Sequence, residues 1–187
     1  RLQPSRPPDA VAPPGKHQRR KVPGREGRKI AMTILVVGSV AYDSVKTPSG
    51  SQRGILGGSA TYFSVAAGYF APVSMVAVVG DDFRQEDQAM LEAHHVDTQG
   101  LARVRGKTFR WIGEYGEDLN QAHTLDTQLN VFADFRPKLA PQEKKAQFLF
   151  LANIDPDLQL FLLRKAKGDT FIGCDSMNHW IMNKKPL

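Results

Sequence analysis

With one cysteine, Cys174, among 187 residues, the chain has no means of building a disulfide framework and no second thiol for a metal-ligand pair. A reducing compartment, the cytoplasm, is the expected setting. Long apolar runs are lacking too: no stretch reaches the roughly 18 to 20 apolar residues that cross a bilayer as a helix, and a soluble protein is expected. Basic charge is abundant overall but scarce where a nucleic-acid surface would need it. Of the 25 Lys and Arg, 9 lie in residues 1–31 against 2 acids, which leaves 16 basic and 17 acidic residues from Met32 onward. A body with net charge −1 offers no basic face to phosphates, so the overall +6 implies only a basic tail.

Phosphate-cradling loops are also missing. Val40 and Asp43 stand where a dinucleotide fingerprint beginning at Gly38 requires glycine, and a hydride-transfer enzyme loses its main support. Residues 100–108, GLARVRGKT, imitate the loop of nucleoside triphosphatases with one residue too many between the glycines. They lead into hairpin-like sequence rather than into the helix whose N-terminus would face phosphate. His94 and His95, near Asp97, have no further ligand at helical spacing, and no metal site is expected.

What is present divides at Met32. Residues 1–31 carry six of the twelve prolines and almost no large apolar side chains before Ile30, so they cannot offset their ordering entropy and read as a disordered tail. Met32 directly precedes the first credible strand, as a start codon there would explain. The segment REGRKIAMTILVVGSVA also imitates a signal peptide, but the proline-rich stretch upstream and the fit of ILVVGS to a buried strand argue against that reading.

Beyond Met32 the elements alternate. A helix is expected over residues 59–70, with Ser59 placed to cap it and Pro72 past its end. VSMVAVV reads as a buried strand ending at Val79, and RQEDQAMLEAHH as a helix whose early acids suit its N-terminal dipole. Between Lys107 and Phe132, runs such as TFRWIGEY and AHTLDTQLNVF joined by GEDLNQ follow hairpin grammar. QFLFLAN, DPDLQLFLLRKAKG and TFIGCDS then read as strand, helix with Asp155 or Pro156 at its start, and strand, with Cys174 as a small buried hydrophobe. Such alternation indicates a parallel α/β sheet.

The ordered set ILVVGSVAYDS, LGGSATYFSVAA and VSMVAVVGDDF resembles the front part of the ribokinase, or PfkB-type, carbohydrate kinase family. The resemblance covers residues 32 to about 182, and implies a parallel sheet with helices on both faces and a β-lid near residues 107–132. It also implies an activity: ATP-dependent phosphorylation of a sugar or nucleoside hydroxyl, with Mg2+. Asp43, beyond the first strand, lies where open α/β sheets place ligands; its carboxylate suits two neighbouring sugar hydroxyls, the other reading being a turn or cap residue. Gly57 and Gly58 permit close backbone approach to a ligand or form an ordinary tight turn. Ser59 follows them at the helix start. Arg110 and Trp111 either line the lid or face solvent and packing, and Asn153 either reaches the cleft or caps the next helix. Tyr62 stands where many members of the family have Asn, which points toward a nucleoside or a bulkier sugar derivative.

The family's late G-A-G-D run, whose Asp activates the sugar hydroxyl, does not occur, and neither does its N-x-x-E run. Residues 32–187 are therefore expected to be the N-terminal part of a kinase domain, its C-terminal part missing and no catalytic residue present. A noncatalytic sugar-binding or interaction module is the alternative. In this family lids sometimes form dimer interfaces, so a homodimer is compatible with the hairpin.

Overall fold

The computed structural model describes residues 33–184; the tail at 1–31, the start at Met32 and the last three residues lie outside the described residues. Along the chain run β1 (Ile34–Val37), β2 (Ala41–Thr47), β3 (Gly50–Gly57), α1 (Ser59–Gly68), β4 (Val73–Val79), α2 (Gln85–Ala93) and β5 (Val96–Arg103). There follow β6 (Phe109–Tyr115), β7 (Ala122–Gln128), β8 (Phe148–Leu151), α3 (Pro156–Leu163), β9 (Phe171–Cys174) and α4 (Asn178–Asn183).

The apolar runs make a five-stranded parallel sheet in the order β5-β4-β1-β8-β9. Side chains alternate across it. Val36, Met75, Ala77 and Val79 pack on one face with Ala60 of α1 and Leu91 of α2, while Leu35, Val37, Val76, Leu149 and Leu151 pack on the other with Phe135, Ile154 and Leu162. A strand covered on both faces needs apolar residues at nearly every position, which is why the inner strands β1, β4 and β8 read as nearly unbroken apolar runs. The helix signals also hold: Glu86 and Asp87 occupy the first turn of α2, and Asp155 caps α3 by accepting the Asp157 N–H at 2.9 Å, with Pro156 beginning the helix.

Three expectations need correction. The β-hairpin is there as β6 and β7, but it belongs to a four-stranded sheet, β3-β2-β6-β7, that also takes residues 41–57. The strands β2 and β3 escape a sequence reading because most of their side chains are partly or wholly exposed, so no apolar alternation marks them. Gly100–Arg103, inside the loop-like GLARVRGKT, ends strand β5. Cys174 is exposed, not buried, because β9 is the outermost strand on its side of the parallel sheet.

Candidate functional site

The chain leaves β1 toward β4 on one side and reaches β8 on the other, so the order reverses between β1 and β8. Crevices of this kind, beyond the C-terminal ends of the strands, are where open α/β sheets hold ligands. Here those ends are pressed together: a Cβ added to Gly38 would stand 2.4 Å from the Cβ of Ala152.

Helix α1 begins at the same place. The Ser59 N–H donates to Ser39 Oγ at 3.3 Å and the Ala60 N–H to the Ser39 carbonyl at 3.1 Å. Ser59 Oγ lies 3.3 Å from Ser39 Oγ and donates to the Asn153 carbonyl at 3.5 Å, which ties the helix entry to both strand ends. Ser59 was expected to cap this helix, but the cap position is Gly58, with φ of 93° and no side-chain cap bond. A side chain there would be strained by the positive φ, and its Cβ would sit 2.4 Å from the Ser39 carbonyl oxygen.

Asp43 lies on β2, paired with Ile55 on β3 and Trp111 on β6. Its carboxylate rests on Gly57, where an added Cβ would be 2.0 Å from Oδ2. Burial pushes this carboxyl up to about 6, opposed by the backbone N–H of Gly58. Its ionised form is therefore held by backbone alone and is ready to accept further donors. Tyr62, in the first turn of α1, is 59% exposed. Its phenol is raised by burial and then by the charges of Asp43 and Tyr115, which places those three groups within electrostatic reach.

At the ends of β8 and β9, Asn153 Oδ1 and Asp175 Oδ1 are both buried without a hydrogen-bond partner. Burial raises the Asp175 carboxyl, against a backbone N–H from Asn153. The region is braced by Gln159 of α3, whose Nε2 donates to the carbonyls of Leu151, Ala152 and Asp175 at 3.0, 3.2 and 3.1 Å. Buried acceptors without donors are costly, and water or a ligand commonly completes them. Asp175 was not singled out from sequence. It follows its strand as Asn153 follows β8, and that position was the available signal.

No family model matches the sequence, and no curated protein sequence matches it. Solved structures do match. A ribokinase from Cryptococcus neoformans, solved with ADP, superposes with a TM-score of 0.66 at 19% identity, covering 79% of this chain and 50% of its own. A nucleoside kinase from Methanocaldococcus jannaschii, described as an archaeal member of the ribokinase family, gives 0.62 at 17%, covering 83% and 54%. The Thermotoga maritima ribokinase gives 0.55 at 18%, covering 77% and 52%. The chain has the ribokinase fold. It spans about half the length of these solved kinases.

Within this ribokinase fold, Asp43, Gly57, Gly58, Ser59 and Asn153 come together around the α1 entry, whereas Arg110 does not join them. Register pairs Arg110 with Tyr42, one residue before Asp43, and so puts it on the other face of the lid. There it stacks over the Tyr42 ring and pairs with Asp82 at 2.6 Å. Asp82 also accepts the Thr108 N–H and hydroxyl at 2.7 Å each. Burial alone would raise its carboxyl, yet these donors hold it below the usual range. Asp82, just past the end of β4, thus anchors the lid to that strand. A cavity of about 840 Å³ lies elsewhere, lined by Phe132, Leu139, Leu158, Phe161 and Trp180 among others, and contains none of these site residues.

Proposed function

We propose that this chain is the substrate-binding part of an ATP-dependent sugar or nucleoside kinase, one that passes the γ-phosphate of ATP to a substrate hydroxyl. The observation that carries this reading is the Asp43 carboxylate: half-buried on the Gly57–Gly58 turn, contacted by backbone N–H, and set beside the switch point of a ribokinase fold. Two neighbouring hydroxyls of a sugar supply the donors that such a carboxylate lacks. Asn153 Oδ1 and Asp175 Oδ1 offer further acceptors at the ends of the adjacent strands. The four-stranded sheet carrying Asp43 joins the α1 entry through glycine, where a lid can pivot over a bound substrate.

The residues for phosphoryl transfer are a different matter. The sequence holds no G-x-G-D and no N-x-x-E run, and no group of three or more His, Cys, Asp or Glu stands together to hold a metal among the described residues. These residues do not by themselves fit ATP and Mg2+, and no step is derived through either. In this reading the activating base and the nucleotide site belong to a further part of the kinase. A cytoplasmic setting belongs to the same reading. So does a homodimer through the lid, whose outer strand β7 is exposed along its length.

Calorimetric titration tests the site. Asp43→Ala should weaken binding of the sugar or nucleoside by about 1 to 3 kcal/mol, the scale for losing charged hydrogen bonds; unchanged affinity removes Asp43 from the site. The coding DNA beyond Leu187 tests the kinase reading, since continuation into a G-x-G-D run supports it, whereas a stop codon there favours the noncatalytic module.

A further inference from the structure

The face of the lid that bears Asp43 is lined with rings. Register sets Ile55, Asp43 and Trp111 side by side across β3, β2 and β6, and the two-residue period of β6 continues that face through Gly113 to Tyr115. The indole of Trp111 lies over Gly113, where an added Cβ would stand 2.2 Å from the ring, and its Nε1 donates to Thr124 Oγ1 at 3.1 Å. This ring is therefore held in one orientation before any ligand arrives. Tyr62 stands one turn into α1 from the glycine turn on which that carboxylate rests, its N–H donating to the Gly58 carbonyl at 3.2 Å, and it remains 59% exposed.

Tyr62 is too exposed to be a core residue, and the lid's arginine stacks on Tyr42, on the opposite face. Among the described residues the cation–π pairs involve Tyr42, Phe83, Phe161 and Trp180, so no cation is stacked on Tyr62, Trp111 or Tyr115. A flat heteroaromatic ring can lay its whole π-face on such side chains, whereas a small sugar offers them only C–H patches between its hydroxyls.

We propose that this cleft selects a glycoside carrying a flat ring, a nucleoside by chemical class, with Asp43 taking neighbouring hydroxyls and Tyr62, Trp111 and Tyr115 holding the ring. This inference rests on the reading of Asp43 as the hydroxyl acceptor. The specificity is a property of Tyr62 above all, because it stands on helix α1 and not on the four-stranded sheet that carries the carboxylate.

The test is calorimetric titration of the 187-residue chain with adenosine and with ribose, on the wild type and on Tyr62→Ala, Tyr62→Phe and Asp43→Asn. Wild type should bind adenosine at least about tenfold tighter than ribose, on the scale of one stacked base. Tyr62→Ala should bring adenosine to within about threefold of ribose, while Tyr62→Phe keeps the preference. Ribose binding as tightly as adenosine, or a preference that survives Tyr62→Ala, overturns the ring inference. If Asp43→Asn weakens both ligands while adenosine has no advantage, the ring inference alone fails. If it alters neither ligand, or if neither binds at millimolar concentration, the reading of the site fails as well.

Discussion

Asp43 is half-buried against Gly57 within the lid sheet with only backbone to hold its charge, and this has a thermodynamic sign. Its folded carboxyl is raised to about 6 from an ordinary 3.8. The folded chain therefore keeps its proton over a range in which the unfolded chain has lost it, and stability drains away as pH rises through that window. Urea melts of wild type and Asp43→Asn should agree near pH 3.5 and diverge between about 4 and 6, the variant ending more stable by about 1 to 2 kcal/mol after discounting for partial exposure. Ligand affinity should run the other way, rising in wild type through pH 6 as the acceptor ionises and staying flat in the variant. A residue that costs stability but holds substrate is a signature of a site. Gly57→Ala should act through the same carboxylate: its Cβ would displace Oδ2, weakening ligand binding and destabilising the fold by about 1 to 3 kcal/mol.

At the scale of elements, the joint between the lid and the parallel sheet and a seam inside the parallel sheet each yield a measurement. Asp82 gathers Thr108 and Arg110 at the base of β6, so Asp82→Ala leaves the Thr108 donors and the arginine without their acceptor. We expect a loss of about 2 kcal/mol and faster amide exchange confined to β6 and β7 before global unfolding. The seam is the contact of β1 with β8 within the parallel sheet, where Gly38→Ala would force a methyl group against Ala152. The resulting overpacking should cost about 1 to 3 kcal/mol in thermal or urea melts. The elements that sequence reading recovers, β1, β4, β8, β9 and the helices between them, carry compact local signals, and in β1 and β4 the apolar runs are dictated by burial on both sides. The ones it misses, β2, β3 and β5, carry mixed or polar faces. Ser59 fails as a cap for a related reason: cap propensity is a local preference, and the close approach of Ser39 overrides it.

For the whole molecule, the ribokinase fold and the absent transfer motifs lead to one expectation about activity. The 187-residue chain should show no ATP-dependent phosphorylation of a sugar or nucleoside, by coupled assay or by product mass; turnover would overturn the assignment of the base to a G-x-G-D run. The sequence by itself determined the parallel α/β core, its helices and the hairpin at residues 107–132, because buried runs, caps and turns are written in neighbouring residues. It also placed Asp43, Gly57, Gly58, Ser59 and Asn153 near strand and helix ends. Only the tertiary structure decided that Arg110 faces away from Asp43, that Asp175 joins Asn153, and that Trp111 and Tyr115 share a face with the carboxylate. Those relations depend on strand register and on which ends meet at the reversal of sheet order. They are fixed by pairing between segments distant in the chain, on which local periodicity carries no information.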